Sequence, residues 1–289
     1  MMTLQYSLGG TLLAARQCGQ QTLDFIEGVE LRQRGCPNNS APVPIRKREG
    51  KQFAAFFDYA TSNLAQQGIH NMKLISLNVA RPRLTVYKGS TISTGIFKQP
   101  VSGPIPLHRL NFDGDRQADL SVHGGPYKAV YGYPSEHYEF WRQQFADMDL
   151  PWGMFGENLT TQALFESELH IGDRLQLGSA ILMVRQPRIP CFKLAAKFQR
   201  DDILERFLRS GRSGFYFSVE QEGTVAAEDS FHLLTSEPQA ITIAEMNRLF
   251  VAEKYNRNLL QKAIASPALP EDWRSYFAQR LPGMASVEA

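Results

Sequence analysis

Residues 169–191 read LHIGDRLQLGSAILMVRQPRIPC and contain the clearest strand pattern of the chain. Apolar and polar side chains alternate before and after Gly178-Ser179, and such a dipeptide between two alternating runs is typical of a hairpin turn. The pattern therefore predicts two antiparallel strands, over 169–178 and 180–186.

Similar short runs occur on both sides of this hairpin. The predicted strands are KLISLNVA (73–80), AVYGY (129–133) and the segment FYFSVEQEGTVAAEDSFHLL (215–234), in which Glu222-Gly223 is the expected turn. Many short strands with glycine-rich connections predict a mainly β fold, a barrel or a sandwich, over residues 72–238.

Two helices are expected within this region. The first, over 135–145, has Ser135 as its expected N-cap, and the second, over 201–211, pairs Asp202 with Glu205 at the spacing of a capping box. Each has one apolar face. The faces consist of Tyr138, Trp141 and Phe145 in the first helix and of Ile203, Phe207 and Leu208 in the second.

Residues 239–289 change to a helical period and are expected to form a small three-helix C-terminal domain. Thr242 and Glu245 have the spacing of a capping box at its start. Three apolar faces follow, with Pro267 and Pro270 between the second and the third. The faces are Ile243, Met246, Leu249 and Phe250; Leu259, Leu260, Ala263 and Ile264; and Trp273, Phe277 and Leu281.

Residues 1–71 differ from the rest in composition. CPNNSAPVPIRKREGK (36–51) is rich in proline, asparagine and basic residues, as linkers are, and FAAFFDYATSNLAQQ (53–67) has no apparent packing partner. We interpret 1–71 as a loosely ordered N-terminal extension, or as sequence ahead of a natural start at Met72. A family-specific domain is the alternative.

The charge balance argues against two classes of partner. The chain of 289 residues carries 31 basic and 29 acidic residues, a net charge of +2, without the concentrated basic field of proteins that bind nucleic acid or membrane surfaces. No apolar run approaches the roughly 20 residues that cross a bilayer, and the N-terminus lacks the basic region of a signal peptide. These features predict a cytoplasmic protein.

Cysteine and histidine patterns exclude common site types. Three cysteines without regular spacing, Cys18, Cys36 and Cys191, predict neither a disulfide framework nor a zinc site. The six histidines show no paired ligand spacing, and His137 is expected on a helix surface. The chain has no phosphate loop, dinucleotide fingerprint or nucleophile elbow.

Cys191 is the first candidate for chemistry. In QPRIPCFKL, Arg188 lies three residues before it and Lys193 two residues after it. Two cations near a thiol favour the thiolate, which is a nucleophile and a soft metal ligand. The alternative is a buried cysteine beside two solvated surface charges.

The second candidate is the turn His123-Gly124-Gly125, which Lys128 follows closely. Glycines let backbone N–H groups approach an anion, and the lysine adds positive charge. The alternative is an ordinary hairpin turn with a capping histidine.

The third candidate is FGENLTT (155–161). Gly156 permits a positive φ, Glu157 offers a carboxylate, and Asn158 offers an amide that could read the polar edge of a heterocycle. Alternatively, Asn158 caps its own backbone in a turn.

Five motifs occur together in the order found in one family. They are FDGDRQAD (112–119), VHGGPYKAVYGYP (122–134), FGENL (155–159), IGDRLQLG (171–178) and QPRIPC (186–191). In this order they resemble the MOSC family, named after the C-terminal domain of molybdenum cofactor sulfurase. The helical unit resembles the three-helix domain of the YiiM-type branch. The resemblance covers about three quarters of the chain and leaves 1–71 unexplained.

The resemblance implies a MOSC-type β-barrel with peripheral helices that binds the molybdopterin form of the molybdenum cofactor. It implies a molybdenum-dependent oxidoreductase that reduces N-hydroxylated compounds, such as hydroxylaminopurines, to amines and so detoxifies N-hydroxylated bases. Cys191 is the expected molybdenum ligand, and Cys191 and His123 are the expected catalytic residues. The expected cofactor-binding residues are Cys191, Arg188, Lys193, Lys128, Gly124, Gly125, Gly156, Glu157 and Asn158.

Electrons for such a reduction must come from outside, because the chain has no recognisable flavin, haem or iron–sulfur motif. We therefore expect an external reductase as partner, beside the small-molecule substrate. The oligomeric state is left open, with a homodimer as one possibility.

Two alternatives use the same cysteine. The chain could store or deliver the cofactor without turnover, or Cys191 could carry sulfur as a persulfide. The second is weakened because no pyridoxal-phosphate desulfurase domain is recognised in this chain. A reductase and a cofactor carrier share one site, so the sequence does not separate them.

Overall fold

The computed structural model describes residues 72–120 and 123–281. The strands are β1 (Lys73–Val79), β2 (Arg83–Tyr87), β3 (Ser90–Thr94), β4 (Gln99–Pro100), β5 (Ile105–Leu107), β6 (Val130–Pro134), β7 (Leu159–Gln162), β8 (Arg174–Leu177), β9 (Ala180–Pro187), β10 (Phe215–Gln221), β11 (Gly223–Val225) and β12 (Phe231–Thr235). The helices are α1 (His137–Gln144), α2 (Phe192–Phe198), α3 (Asp202–Ser210), α4 (Ile243–Val251), α5 (Arg257–Ala265) and α6 (Glu271–Arg280). The predictions for 1–71, with Cys18 and Cys36, lie outside the described residues.

Eight strands form one mixed sheet in the order β12-β8-β9-β10-β6-β7-β1-β4. β6 and β7 run parallel, whereas all other neighbours in this sheet run antiparallel. A parallel pair cannot be joined by a tight turn, so the chain crosses over through α1 between β6 and β7. β2 with β3, and β5 with β11, form two small further ladders.

The hairpin predicted around Gly178 is confirmed, with β8 and β9 antiparallel. Gly178 has a φ of 55°, and a Cβ there would lie 2.3 Å from the carbonyl oxygen of Thr224, so this turn needs glycine. The first strand is shorter than predicted. Asp173 N–H donates to the carbonyl of His170 at 3.0 Å, and this turn delays the start of β8.

The sheet does not close into a continuous barrel, so the predicted barrel is not confirmed. Its two ends nevertheless meet at one point. Lys73 forms a single bridge with Ser230, just ahead of β12. Leu74 N–H donates to the carbonyl of Asp229 at 2.9 Å, and Glu228 N–H donates to the carbonyl of Leu74 at 2.7 Å. The start of β1 is therefore held against the segment that leads into β12.

The hairpin expected at Glu222-Gly223 does not form. β11 leaves β10 and pairs with β5, with Gly223 opposite Leu107. The chain also passes close to the β8–β9 turn, since a Cβ on Gly223 would lie 2.5 Å from the backbone nitrogen of Ala180. The strands expected within 215–234 are present, but β11 pairs with a distant segment.

The helix ends agree with the sequence in part. The capping box of Thr242 and Glu245 at the start of α4 is confirmed. The N-cap at Ser135 is wrong, because α1 begins at His137 with no side-chain cap. The capping box at Asp202 is also wrong, because its carboxylate instead binds neighbouring arginines. The longest described helix has ten residues, and none within 72–120 and 123–281 is long and apolar enough to cross a bilayer.

Two apolar clusters fill the interior. The larger joins the sheet to α4–α6, and it includes Leu182 and Val184 of β9 together with Leu249 and Phe277. The second is aromatic, lies around α1 and α3, and contains Tyr133, Tyr138, Trp141, Phe155 and Phe207. The division into domains at 72–238 and 239–289 stays a prediction, but the last three helices share the core of the sheet.

His137 is not the surface residue that the sequence predicted. Its Nε2 lies 2.8 Å from Oε2 of Glu166, and both side chains are nearly buried. Glu166 also accepts a hydrogen bond from Gly214 N–H at 2.7 Å, at the entry to β10. Burial acts to raise the pKa of Glu166, but the charge of His137 and these hydrogen bonds outweigh it and lower the pKa.

This ion pair gives a stability prediction. Glu166→Gln keeps an acceptor for Gly214 but removes the charge that faces His137. The free energy of unfolding at pH 7 should therefore fall by about 1.5–3 kcal/mol, the range for hydrogen bonds to charged groups. Urea unfolding measures the change. Glu139→Gln on the exposed face of α1 is the matched control and should change stability little.

The sign of the pH dependence follows from the lowered pKa of Glu166. Between the folded and unfolded pKa values the unfolded chain binds more protons, so stability rises with pH. The contribution is present above the ordinary carboxyl pKa and is lost as the pH falls through the folded value. The difference between the wild type and Glu166→Gln should shrink towards pH 3, and a constant difference would contradict the ion pair.

Candidate functional site

A cleft opens where β6, β10 and the end of β9 meet the segment after β3. It has about 590 Å³ of empty space, part of it open to solvent. Five cationic side chains line it together with three rings and one thiol. They are Lys98, Arg116, Lys128, Arg188 and Lys193, the rings of His123, Tyr131 and Tyr216, and Cys191. The arrangement suits an anion with a flat, polar body.

Cys191 lies at the junction of β9 and α2. After Pro187 the chain stays extended, and Cys191 is the N-cap of α2 with φ −125° and ψ 171°. Its carbonyl accepts a hydrogen bond from Leu194 N–H at 2.8 Å, which starts the helix. The side chain is half-buried and lines the cleft, so its sulfur is open to a ligand and is not sealed in the core.

His123 joins Cys191 to Lys193. Its Nε2 lies 3.4 Å from Cys191 Sγ, and its Nδ1 lies 3.5 Å from Lys193 Nζ. An ammonium group can only donate, so Nδ1 is the acceptor and Nε2 carries the hydrogen that points to the sulfur. The pKa of His123 is lowered to about 4, mainly by burial and also by the charges of Lys193, Lys128 and Arg188, against the opposing effect of Asp119. The ring is therefore neutral at pH 7.

Arg188 lines the cleft but is buried, with 6% of its surface exposed. It donates to the carbonyl of Phe155, and its guanidinium carbon lies 4.8 Å from the centre of the Tyr131 ring. These contacts fix the plane of the guanidinium. The other N–H groups of such a fork remain suited to a phosphate or carboxylate.

The glycine turn has the geometry that the sequence predicted. Gly124 and Gly125 have φ values of 84° and 80°, which favour glycine. Gly124 lines the cleft, and Lys128 lines it at the end of the short turn that follows. The cleft wall does not include Gly125.

Only some of the residues in the segment 155–159 reach the cleft. Gly156 and Asn158 line it. The amide of Asn158 is already engaged, because Oδ1 accepts from Tyr131 N–H at 3.2 Å and Nδ2 donates to Asn78 O and to Asp115 Oδ2, at 3.2 and 3.0 Å. The structure therefore gives Asn158 a structural position and leaves it little capacity to read a heterocycle.

Glu157 is not brought to the cleft. Its side chain is fully buried and accepts hydrogen bonds from Gly153 N–H at 2.8 Å, Phe155 N–H at 3.1 Å and Thr160 Oγ1 at 2.9 Å. Tyr138 donates to it as well. These bonds hold the 153–157 turn in shape, so Glu157 supports the cleft from behind.

Several wall residues were missed from sequence. Lys98 is buried against Asp115, and Arg116 follows that aspartate. Tyr131 and Tyr216 face each other across β6 and β10, with ring centres 5.1 Å apart. The motif FDGDRQAD contains Asp115 and Arg116. Only the fold shows that Asp115 binds Lys98, which lies in a segment with no readable pattern.

The donor set of the cleft bears on the cofactor that the resemblance implies. Within the described ranges, no group of three or more histidine, cysteine or acidic side chains could hold a bare metal ion. One accessible sulfur beside several cations instead fits a metal that arrives with its own ligands and a phosphate. The residues present therefore fit a molybdopterin-type cofactor.

Comparisons with known proteins define the class. Residues 119–232 match the MOSC domain family, and residues 241–283 match the YiiM-like, 3-alpha helix domain family. The chain is 40% identical over 215 residues to the uncharacterized protein YflK of Bacillus subtilis, covering 74% of this chain and 97% of that protein. It is a MOSC-domain protein.

The branch within that class follows from further relatives. The chain is 33% identical to the protein YiiM of Escherichia coli, over 66% of this chain and 86% of that one. The crystal structure of YiiM from Geobacillus stearothermophilus matches with a TM-score of 0.61 and 33% identity, covering 73% of this chain and 99% of that chain. The chain thus belongs to the MOSC-domain family that carries the YiiM-like three-helix domain, as the sequence predicted.

One relative has a name that bears on activity. A protein of Gibberella moniliformis named reductase is 34% identical over 182 residues. The match covers 62% of this chain but 32% of that protein.

The contact of His123 with Lys193 gives a testable titration. The ring signals of His123 in NMR spectra should titrate near pH 4. Lys193→Met removes the cation nearest to the ring, so the midpoint should rise towards the ordinary histidine value. Lys262→Met, on α5, is the control and should leave it unchanged. An unchanged titration midpoint of His123 in Lys193→Met would contradict the contact between His123 and Lys193.

Proposed function

We propose that this protein binds the molybdenum cofactor through Cys191 and reduces N-hydroxylated compounds to amines. The observation that carries the proposal is the accessible sulfur of Cys191 in a cleft lined by Arg188, Lys193 and Lys128. The reductase-named relative supports the general class of reaction. The substrate class follows from the family resemblance.

The residues of the cleft divide into two roles. Cys191 would supply a soft thiolate to molybdenum, which prefers such ligands. Arg188, Lys193 and Lys128, together with backbone N–H groups of the Gly124 turn, would hold the phosphate of the pterin. When bound, the cofactor supplies two-electron chemistry. His123 donates its Nε2 hydrogen to the sulfur and so orients the cysteine.

The overall reaction balances with a separate electron source. R–NHOH, two electrons and two protons give R–NH₂ and water, and the N–O bond is the one that breaks. We propose an external reductase as the physiological donor. In the same proposal, the contact of β1 with residues 228–231 marks the incompletely paired seam of a MOSC-type barrel.

Purification from a host that makes the cofactor tests the function. Molybdenum is quantified per chain, and reduction of a hydroxylaminopurine is followed with dithionite-reduced viologen as donor. Molybdenum together with amine formation supports the reductase. Molybdenum without turnover would favour a cofactor carrier, and protein-bound persulfide without molybdenum would favour a sulfur carrier.

Replacing Cys191 tests the metal ligand. Cys191→Ser keeps the size of the side chain but replaces soft sulfur by hard oxygen. Bound molybdenum should fall by more than roughly tenfold, since even residues that only support a metal ligand cost that much. Amine formation should vanish, while circular dichroism should stay unchanged. Full activity in the serine variant would remove Cys191 from the mechanism.

The phosphate contacts predict an order of effects on cofactor retention. Loss of one charged phosphate partner costs about 1.5–3 kcal/mol, so Arg188→Ala should weaken retention roughly ten- to a hundredfold. Arg188→Lys should recover part of this, because lysine keeps the charge without the planar fork. His123→Ala should be mildest, since the imidazole contacts the sulfur and not the anion. Melting curves of each variant separate retention from unfolding, and a His123→Ala variant with the greatest loss would overturn the assignment.

A further inference from the structure

Tyr216 projects into the cleft because of the pleat of β10. Its neighbours Phe215 and Phe217 are fully buried in the core, and side chains alternate along a strand, so Tyr216 points to the opposite face. There it pairs across the strands with Tyr131. Its ring is held by this neighbour, and it lines the cleft together with Cys191 and Arg188.

The two tyrosines differ at their hydroxyl groups. The Tyr131 hydroxyl donates to the carbonyl of Ser213 at 2.8 Å and is thereby occupied. Among the described residues, the Tyr216 hydroxyl makes no hydrogen bond. A largely buried phenol normally finds a partner, so this hydroxyl is aimed at whatever fills the cleft.

The donors next to Cys191 have other partners. His123 uses Nδ1 towards Lys193 and Nε2 towards the sulfur. Arg188 is fixed on Phe155 and Tyr131, and its remaining N–H groups are those assigned above to the phosphate of the cofactor. Burial raises the pKa of Tyr216, Arg188 opposes that shift, and Cys191 adds to it, so the phenol keeps its proton at neutral pH and can act as a donor.

We propose that the hydroxyl of Tyr216 is a catalytic group that binds the oxygen of the substrate's N–OH group and donates a proton to it. The inference rests on the proposed function and adds a residue to it. The departing oxygen keeps its own hydrogen, takes one proton from Tyr216 and leaves as water. The nitrogen keeps its hydrogen and takes the second proton from solvent, in the balanced sum R–NHOH + 2 e⁻ + 2 H⁺ → R–NH₂ + H₂O. The electrons come from the external donor, and solvent at the mouth of the cleft returns the proton to Tyr216.

A binding experiment without electron donor tests the contact apart from turnover. Calorimetry compares a hydroxylaminopurine with the corresponding aminopurine, which lacks the oxygen. Tyr216→Phe should weaken binding of the hydroxylamino compound about three- to tenfold, the range for one hydrogen bond, and leave binding of the amine unchanged. Equal weakening of both would show a merely structural role and would overturn the proposal.

Turnover with dithionite-reduced viologen gives the second readout. In Tyr216→Phe, kcat should fall roughly a hundredfold, as for loss of a general acid, while molybdenum content and melting temperature stay at wild-type levels. Tyr255→Phe makes the same chemical change on an exposed tyrosine between α4 and α5, and it should leave kcat unchanged.

The outcomes separate this inference from the proposed function. If the wild type binds molybdenum but reduces no N-hydroxylated compound, the proposed function fails. If the wild type is active and Tyr216→Phe retains full kcat, the function stands and the role of Tyr216 is refuted.

Discussion

The buried carboxylate of Asp115 is the contact on which the shape of the cleft depends. It pairs with Lys98, accepts a hydrogen bond from Ala80 N–H at 2.9 Å, and accepts another from Asn158 at 3.0 Å. Asn158 in turn binds the backbone of Tyr131. One side chain thus ties the end of β1, the wall before β4 and the start of β6 together.

A buried ion pair of this kind is costly to form but still more costly to break on one side, because the remaining charge is left without a partner. The ion pair of Lys98 and Asp115 therefore fixes the backbone geometry around the cleft more than it stabilises the fold. Glu157 has a similar structural role behind the cleft, where its carboxylate accepts hydrogen bonds from backbone N–H groups of the 153–157 turn. The cations that face the cleft can stay in place because these contacts fix the backbone beneath them.

The sequence predicted several elements that a local pattern decides, although two of its helix caps, at Ser135 and Asp202, were wrong. The β8–β9 hairpin, the capping box of Thr242 and the burial of Trp141 and Phe277 follow from alternation, spacing and glycine. The sequence did not predict the pairing of β11 with β5, because these two strands lie far apart along the chain.

At the candidate site, the sequence singled out Cys191, Arg188 and His123, and the structure brings these three together. Their residue types already suggest thiolate and anion chemistry. It missed Tyr216, which reads as an ordinary strand residue until β6 supplies its neighbour. The sequence also predicted that Glu157 binds the cofactor, whereas its carboxylate is buried behind the cleft. A sequence motif does not indicate in which direction a side chain points.

The bridge between Lys73 and Ser230 has a consequence for biosynthesis. β1 is among the first described segments to be made, yet its partners at 228–231 follow only after ten further strands. Contacts of such long range form slowly, and N-terminal segments made early must wait for them. During translation, the edge of Lys73 and Leu74 that meets residues 228–231 therefore stays unpaired until the chain beyond residue 231 has left the ribosome, even when β4 and β7 have paired with β1.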